Sequence, residues 1–243
     1  MFTVKRAIIM AAGRGSRMRE LTETTPKPML KVNGKRMIDS CIEGLLANGI
    51  KDIIIVVGYL KERFQEVADE YPEVRLVENP YYETANNISS IYVVREYLED
   101  VMIIEGDQFF LNGSVFWTEF EHSGYNAFYS RKPTTEWVVE TDETKRILSC
   151  SDHGADEGYV MYGVSRWSKE DGRKLAKWLE YEFEVKQNKD VFWDHIPLFL
   201  HADDFEIYVS PTENKSHVEL DSVEEIAALD PSYEKYVRRV ESE

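Results

Sequence analysis

Cysteine is scarce. The 243 residues contain two, Cys41 and Cys150, too few for a disulfide framework and without C-x-x-C spacing. Both are expected to be packing residues. Histidine is scarce too. The five present form no H-E-x-x-H, and His195 and His201 stand six apart, on different faces of a helix, which argues against a shared zinc. No G-x-S-x-G elbow occurs, so serine hydrolysis is poorly supported as well. No apolar run approaches the roughly eighteen residues that span a bilayer. The stretch 7–12 behind Lys5 and Arg6 is too short for a signal peptide before charge resumes at Arg14. Positive charge is the rarer sign, 29 Lys and Arg against 45 Asp and Glu, a net charge of −16. That balance argues against nucleic acid or an anionic membrane as partner. The expectation is a soluble, cytoplasmic chain with no membrane insertion.

What positive charge there is gathers at the start. Residues 1–36 hold nine Lys or Arg and two Glu, a local +7 in a chain of −16. A basic island in an acidic protein suits a compact anion. Hydrophobic residues make up 43%, enough for a packed core. "VKRAIIM", "KDIIIVVGY", "VRLVEN" and "DVMIIEGD" predict buried strands. They alternate with helical patterns over 37–49, 60–71 and 87–98, the rhythm of βαβ units and a largely parallel sheet. After residue 124 the rhythm changes to consecutive strands, "YNAFYSR", "EWVVET", "RILSCS" and "YVMYGVSRW". Helical stretches at 168–186 and 190–201, the second interrupted near Pro197, a late strand "FEIYVS" and two closing helices complete the chain. No repeat or linker is visible. The expectation is one α/β domain over 1–243, Rossmann-like and three-layered, with a mostly parallel mixed sheet.

Between the first strand and the first helix lies "AAGRGSRMRELTETTPKPML", residues 11–30. Gly13 and Gly15 let backbone N–H groups approach phosphates closely. Position 18 is Met, so this is not a dinucleotide fingerprint, and no Gly-Lys-Ser/Thr follows, so it is not a P-loop. Instead the loop adds Arg14, Arg17 and a lysine, Lys27, stiffened by Pro26 and Pro28. A held Lys and a fork-shaped Arg suit a triphosphate clamped while one bond breaks. "IIEGDQFF" ends a buried strand in Asp107, where side chains of a parallel sheet face the ligand crevice and a carboxylate suits Mg²⁺.

"AAGRGSRM…TPKPML" resembles the G-x-G-x-R…P-K signature of the sugar-nucleotidyltransferase superfamily, whose members join a phosphorylated substrate to a nucleotide and release pyrophosphate. With "KDIIIVVGYLKERF", "NNISSIY", "TEW", "FWD" and "VELDSVEE" the chain is similar in particular to the bacterial CTP:phosphocholine cytidylyltransferases. The resemblance implies a nucleotide-binding part over 1–124 and an acceptor-binding part over 125–243. It implies CTP on Ala11, Ala12, Gly13, Arg14, Gly15, Ser16 and Arg17, with Gly58, Tyr59, Asn87 and Ser89 near the base. It completes a Mg²⁺ site around Asp107 with Asp221 and Glu219. The alternative for Asp221 or Ser222 is the N-cap of the following helix, boxed by Glu224 or Glu225. For "NNISS" the alternative is a helix start capped by Asn87.

A quaternary ammonium has no N–H and is held by aromatic faces and a carboxylate. Trp137 and Phe192 are candidate walls, Tyr159 or Tyr162 a third, and Asp194 the counter-charge. Phe192, Trp193 and Asp194 are not expected all to face one way. The phosphocholine enzymes tend to carry Tyr at the place of Phe192, so a primary amine such as phosphoethanolamine or 2-aminoethylphosphonate stays open beside phosphocholine, and Asp194 has the metal as an alternative partner. The implied reaction is direct displacement at the α-phosphorus, with Lys27 on the reacting phosphate and Arg17 on the leaving pyrophosphate. The rival readings are a sugar-1-phosphate nucleotidyltransferase and a silent nucleotide sensor.

Overall fold

The computed structural model describes residues 1–213 and 216–240. Its centre is explained by an alternation hidden inside fully apolar runs. In strands β1 (Arg6–Ala11) and β2 (Ile53–Val57), Ala7, Ile9, Ile53 and Ile55 join one core, whereas Ile8, Ile54 and Val56 join another. A strand sends successive side chains to opposite faces, so a sheet covered on both sides needs apolar residues at every position. The first core is closed by helix α1 (Met37–Ala47), through Ile38, Cys41, Ile42 and Leu45, and by α2 (Gln65–Glu70) through Val67. The second is closed by α3 (Ile88–Tyr92), through Ile88 and Ile91, and by α4 (Lys169–Glu180) through Leu175 and Leu179. Three layers result, as expected.

Strand β3 (Val74–Glu78) pairs parallel with β2, and β4 (Val101–Glu105) parallel with β1. A three-residue strand, β5 (Gln108–Phe110), follows β4 directly. After it come β6 (Gly124–Ser130), β7 (Val138–Thr141), β8 (Ile147–Ser151) and the long β9 (Gly158–Trp167). The order across the sheet is β8-β7-β9-β4-β1-β2-β3, with β6 on β9 and the late strand β10 (Tyr208–Pro211) parallel to β6. Because β9 runs antiparallel to β4, the carboxyl end of the parallel half abuts the antiparallel half. A crevice opens at that junction.

Three expectations change in detail. The helix expected over 87–98 is only Ile88–Tyr92 followed by a tight turn at Arg95–Tyr97, in a stretch where Val93 and Val94 are β-branched and helix-averse. Helix α4 ends in a wide π-type turn at Tyr181–Val185. The stretch 190–201 is regular only as a second such turn at Ile196–Leu200, with Pro197 near its start. A further strand that the sequence did not reveal, β11 (His217–Glu219), pairs antiparallel with β5 and brings the chain's late acids to the crevice. Among the described residues, no helix is long and apolar enough to cross a membrane. Cys41 is buried and Cys150 half-buried, both free, with burial pushing the Cys150 thiol up to about 12.

Candidate active site

The crevice is a cavity of about 470 Å³ at the carboxyl ends of β1 and β4. Its floor is the loop after β1. Gly15 has φ +60°, a left-handed conformation open to glycine, and a Cβ there would lie 2.8 Å from Cβ of Lys27. Gly15 therefore lets the lysine segment close against the loop. Thr22 Oγ1 donates to the Gly15 carbonyl at 3.0 Å, and the Tyr59 hydroxyl donates to the Thr22 carbonyl at 2.9 Å, which pins the loop from outside. Lys27 itself opens a short turn at Lys27–Met29 between its two prolines.

Lys27 is only 5% exposed, and it is not alone. Its ammonium donates to Asp221 Oδ1 at 2.6 Å and to Asp107 Oδ2 at 3.0 Å. Burial opposes its charge, but Asp107 and Asp221 outweigh that penalty and hold its pKa above the ordinary value. Arg17 Nη1 donates to Asp221 Oδ2 at 2.5 Å. Carboxylate oxygens of Asp107, Glu219 and Asp221 lie within 4.8 Å of one another. Burial first, then the charges of Asp107 and Asp221, push the Glu219 carboxyl up to about 8. Asp107 Oδ1 is buried without a hydrogen-bond partner among the described residues. Three converging carboxylates with an orphaned oxygen fit a divalent cation that prefers oxygen ligands.

The cap expected in "LDS" falls to Ser222 and not to Asp221. Ser222 is the N-cap of α5 (Val223–Leu229), in a capping box with Glu225. The Asp221 backbone N–H donates to Glu225 Oε2, which leaves the Asp221 carboxylate free for Lys27 and Arg17.

The rest of the glycine-rich stretch follows expectation unevenly. Ala11, Ala12, Gly13, Gly15, Ser16 and Arg17 border the cavity. Arg14 points elsewhere, to Glu83 Oε1 at 2.6 Å, with Tyr59 beneath it at 5.7 Å. Gly58 and Tyr59 brace the loop from behind: the Tyr59 N–H donates to the Ala12 carbonyl, and a Cβ on Gly58 would strike the Tyr82 ring. Asn87 borders the cavity and its Oδ1 accepts from the Trp193 N–H at 2.9 Å, so it ties two loops instead of capping α3. Ser89 corrects an expectation. It is 1% exposed, donates to the Asn86 carbonyl and accepts from Asn79 Nδ2; its neighbour Ser90 borders the cavity.

The same cavity is lined by Trp137 and Phe192, ring centroids 5.8 Å apart and edge to face. Tyr159 is the second correction. It packs edge-on against Tyr129 and carries Lys145 over its ring, away from the cavity, whereas Tyr162 lines it. The two differ by an odd number along one strand, so they occupy opposite faces. Phe192, Trp193 and Asp194 all border the cavity, with the Trp193 ring buried against Tyr125 and Trp167. Asp194 is half-buried, and burial pushes its carboxyl up to about 7, a rise the Tyr125 hydroxyl opposes. Two cavity acids were not among the candidates, Glu136 beside Trp137 and Glu105 at the tip of β4. The signal for Glu105 was present in "IIEGDQ": an acid two residues before Asp107.

A glycine loop with a held lysine and arginine, set against three converging acids at the carboxyl end of a parallel half-sheet, defines an enzyme of the nucleotidyltransferase fold. The chain belongs to the MobA-like NTP transferase family, whose profile matches residues 7–176. It is 38% identical over 229 residues to a 2-aminoethylphosphonate cytidylyltransferase of Lancefieldella rimae, covering 93% of this chain and 92% of that protein. It is 35% identical over 226 residues to a choline-phosphate cytidylyltransferase of Streptococcus pneumoniae, covering 93% of this chain and 96% of that protein. The solved structure of the CTP:phosphocholine cytidylyltransferase LicC from Streptococcus pneumoniae matches with a TM-score of 0.87 at 34% identity, covering 95% of this chain and 99% of that one.

Proposed function

We propose that this enzyme transfers the cytidylyl group of CTP to a small phosphorylated or phosphonylated amine and releases pyrophosphate. The observation that carries the reading is that one cavity is bordered both by a cationic loop and by an acid beside aromatic faces. The two relatives that span nearly the whole chain, named for cytidylyl transfer to 2-aminoethylphosphonate and to choline phosphate, support it. An oxygen of the acceptor's phosphate or phosphonate attacks the α-phosphorus, and the bond from that phosphorus to the bridging oxygen of the β-phosphate breaks. The attacking oxygen is already anionic, so no side-chain nucleophile is needed. The catalytic burden is to align two anions that repel each other.

Lys27 is assigned to the reacting phosphate and Arg17 to the departing pyrophosphate. Both are paired with Asp107 or Asp221 at 2.5–3.0 Å, so each trades a carboxylate for a phosphate when the nucleotide enters. Asp107, Glu219 and Asp221 would hold Mg²⁺, which supplies charge neutralisation at the phosphates once bound. Backbone groups of Ala12, Gly13 and Gly15 cradle the triphosphate, and Trp137, Phe192 and Asp194 take the amine. The test is a pyrophosphate-release screen of the four nucleoside triphosphates against phosphocholine, phosphoethanolamine, 2-aminoethylphosphonate and several sugar 1-phosphates with Mg²⁺. The expected result is turnover confined to CTP with the amine acceptors. Preference for a sugar phosphate, or binding of triphosphate without release of pyrophosphate, overturns it.

A further inference from the structure

Glu105 is a cavity acid to which the proposed reaction gives no task. It ends β4, is half-buried, and makes no hydrogen bond or ion pair with a described residue. It does not belong to the group of carboxylates within 4.8 Å of one another, Asp107, Glu219 and Asp221. Yet the fold makes room for it. A Cβ on Gly163 would lie 2.4 Å from Cβ of Glu105 and 2.6 Å from its Oε2, so β9 is notched where the carboxylate lies. Asp194 borders the same cavity. Burial first, and then Asp194, push the Tyr125 phenol up. Tyr125 is 3% exposed, and its hydroxyl has no hydrogen-bond partner at ordinary geometry among the described residues.

The Glu105 and Asp194 carboxylates therefore border one cavity beside the buried Tyr125 hydroxyl, and Glu105 has no hydrogen-bond donor among the described residues. Oxygens of this kind are costly to bury until a ligand brings donors. A quaternary ammonium brings charge but no N–H; a primary ammonium brings three. We infer that Glu105 and Asp194 together receive a primary ammonium, which makes the enzyme selective for phosphorylated or phosphonylated primary amines over quaternary ones. Trp137 then serves as a wall beside the ammonium and not as its main partner. The inference rests on the cytidylyl reading above.

The test is the N-methylation series phosphoethanolamine, its mono- and dimethyl forms, and phosphocholine, with CTP and Mg²⁺, on the wild type and on Glu105→Gln. Each methyl removes a donor, so kcat/KM of the wild type is expected to fall stepwise, by about tenfold or more across the series. In Glu105→Gln the ratio of kcat/KM for phosphoethanolamine to that for phosphocholine is expected to drop by about tenfold or more, mainly through KM. A flat or rising wild-type series overturns the inference without any variant and leaves the cytidylyl reading standing. So does an equal loss on all four acceptors through kcat, which would make Glu105 part of the phosphate chemistry. No pyrophosphate from CTP with any member overturns the cytidylyl reading, and this one with it.

Discussion

The Lys27 ammonium lies 2.6 Å from Asp221 Oδ1, although 194 residues separate them in the chain. The contact joins the first loop of the fold to its last strand, and it places the basic island inside the acidic group at the cavity floor. On the proposed reading one side chain therefore has two roles, a structural counter-ion and a phosphate contact. Lys27→Ala is expected to lower kcat with CTP and acceptor by about 10²–10⁴-fold, the scale seen when a charge-stabilising group is removed. It also leaves Asp107, Glu219 and Asp221 with Arg17, on Asp221, as their remaining cationic partner among the described residues, at a cost of about 3 kcal/mol in the absence of metal. Steady-state kinetics and urea unfolding check the two halves separately; unchanged turnover removes Lys27 from the chemistry.

The acid trio predicts a metal effect on stability. Glu219 has its carboxyl pushed up to about 8 from an ordinary 4.5, so the folded state favours its neutral form. Stability is then fully present below pH about 4.5 and is lost as pH rises through about 8. On the proposed reading Mg²⁺ would relieve this by neutralising the group, and at about one hundred times its Kd it would add about 2.7 kcal/mol. Thermal unfolding at pH 8 is expected to show a higher Tm with Mg²⁺ than with a chelator. Glu219→Gln should raise the Tm in chelator and remove most of the gain from the metal. A Tm indifferent to Mg²⁺ in the wild type argues against a metal at these acids.

Much of this was legible beforehand, for a local reason. Ile53–Val57 is apolar at every position, which only a strand covered on both faces requires, and the glycine loop with its held lysine is a contiguous signal. Asp107 was legible because it follows such a strand. The joining of Gln108–Phe110 to His217–Glu219 was not, since three-residue strands carry too little periodicity and their pairing spans half the chain. That pairing is what sets Glu219 and Asp221 beside Asp107; only the family resemblance pointed to them. The misplacements of Ser89 and Tyr159 are errors of face. In each case a residue one or three positions away, Ser90 or Tyr162, took the cavity, and side-chain direction depends on a register that the sequence leaves open.

Asp194 predicts a pH dependence at the acceptor end. Its carboxyl is pushed up from 3.8 to about 7, chiefly by burial, so the folded state favours the neutral acid. Its contribution to stability is full below pH about 4 and is lost as pH rises through about 7. Binding of a cationic acceptor needs the ionised form, so KM for the amine is expected to rise about tenfold for each pH unit below 7. Asp194→Asn should raise the Tm at pH 8, weaken the acceptor and flatten that profile. A variant that loses stability at pH 8 contradicts an acid whose burial outweighs the help of the Tyr125 hydroxyl.

The least obvious prediction concerns Arg166, behind the site. It is 1% exposed and has no carboxylate partner among the described residues. Its guanidinium instead donates to the carbonyls of Trp117 and Val115 and to Asn126 Oδ1, and it lies 3.7 Å over the Trp117 ring. Burial pulls its pKa down to about 9, still above neutral, so it stays charged at pH 7. Asn126 in turn donates to the Tyr162 hydroxyl at 3.1 Å, and the Tyr162 ring stacks on His217, centroids 3.8 Å apart. This chain of contacts fixes a cavity wall and the strand that carries Glu219. A lysine cannot reproduce the fork, because a single ammonium does not reach three divergent acceptors in one plane. Arg166→Lys is therefore expected to cost about 3 kcal/mol through orphaned carbonyls and a displaced Asn126. Arg166→Met should cost a similar amount, because it removes the buried charge but orphans the same acceptors. Urea unfolding of both variants decides it: a loss under about 0.5 kcal/mol in Arg166→Lys would mean that the charge alone matters and the fork does not.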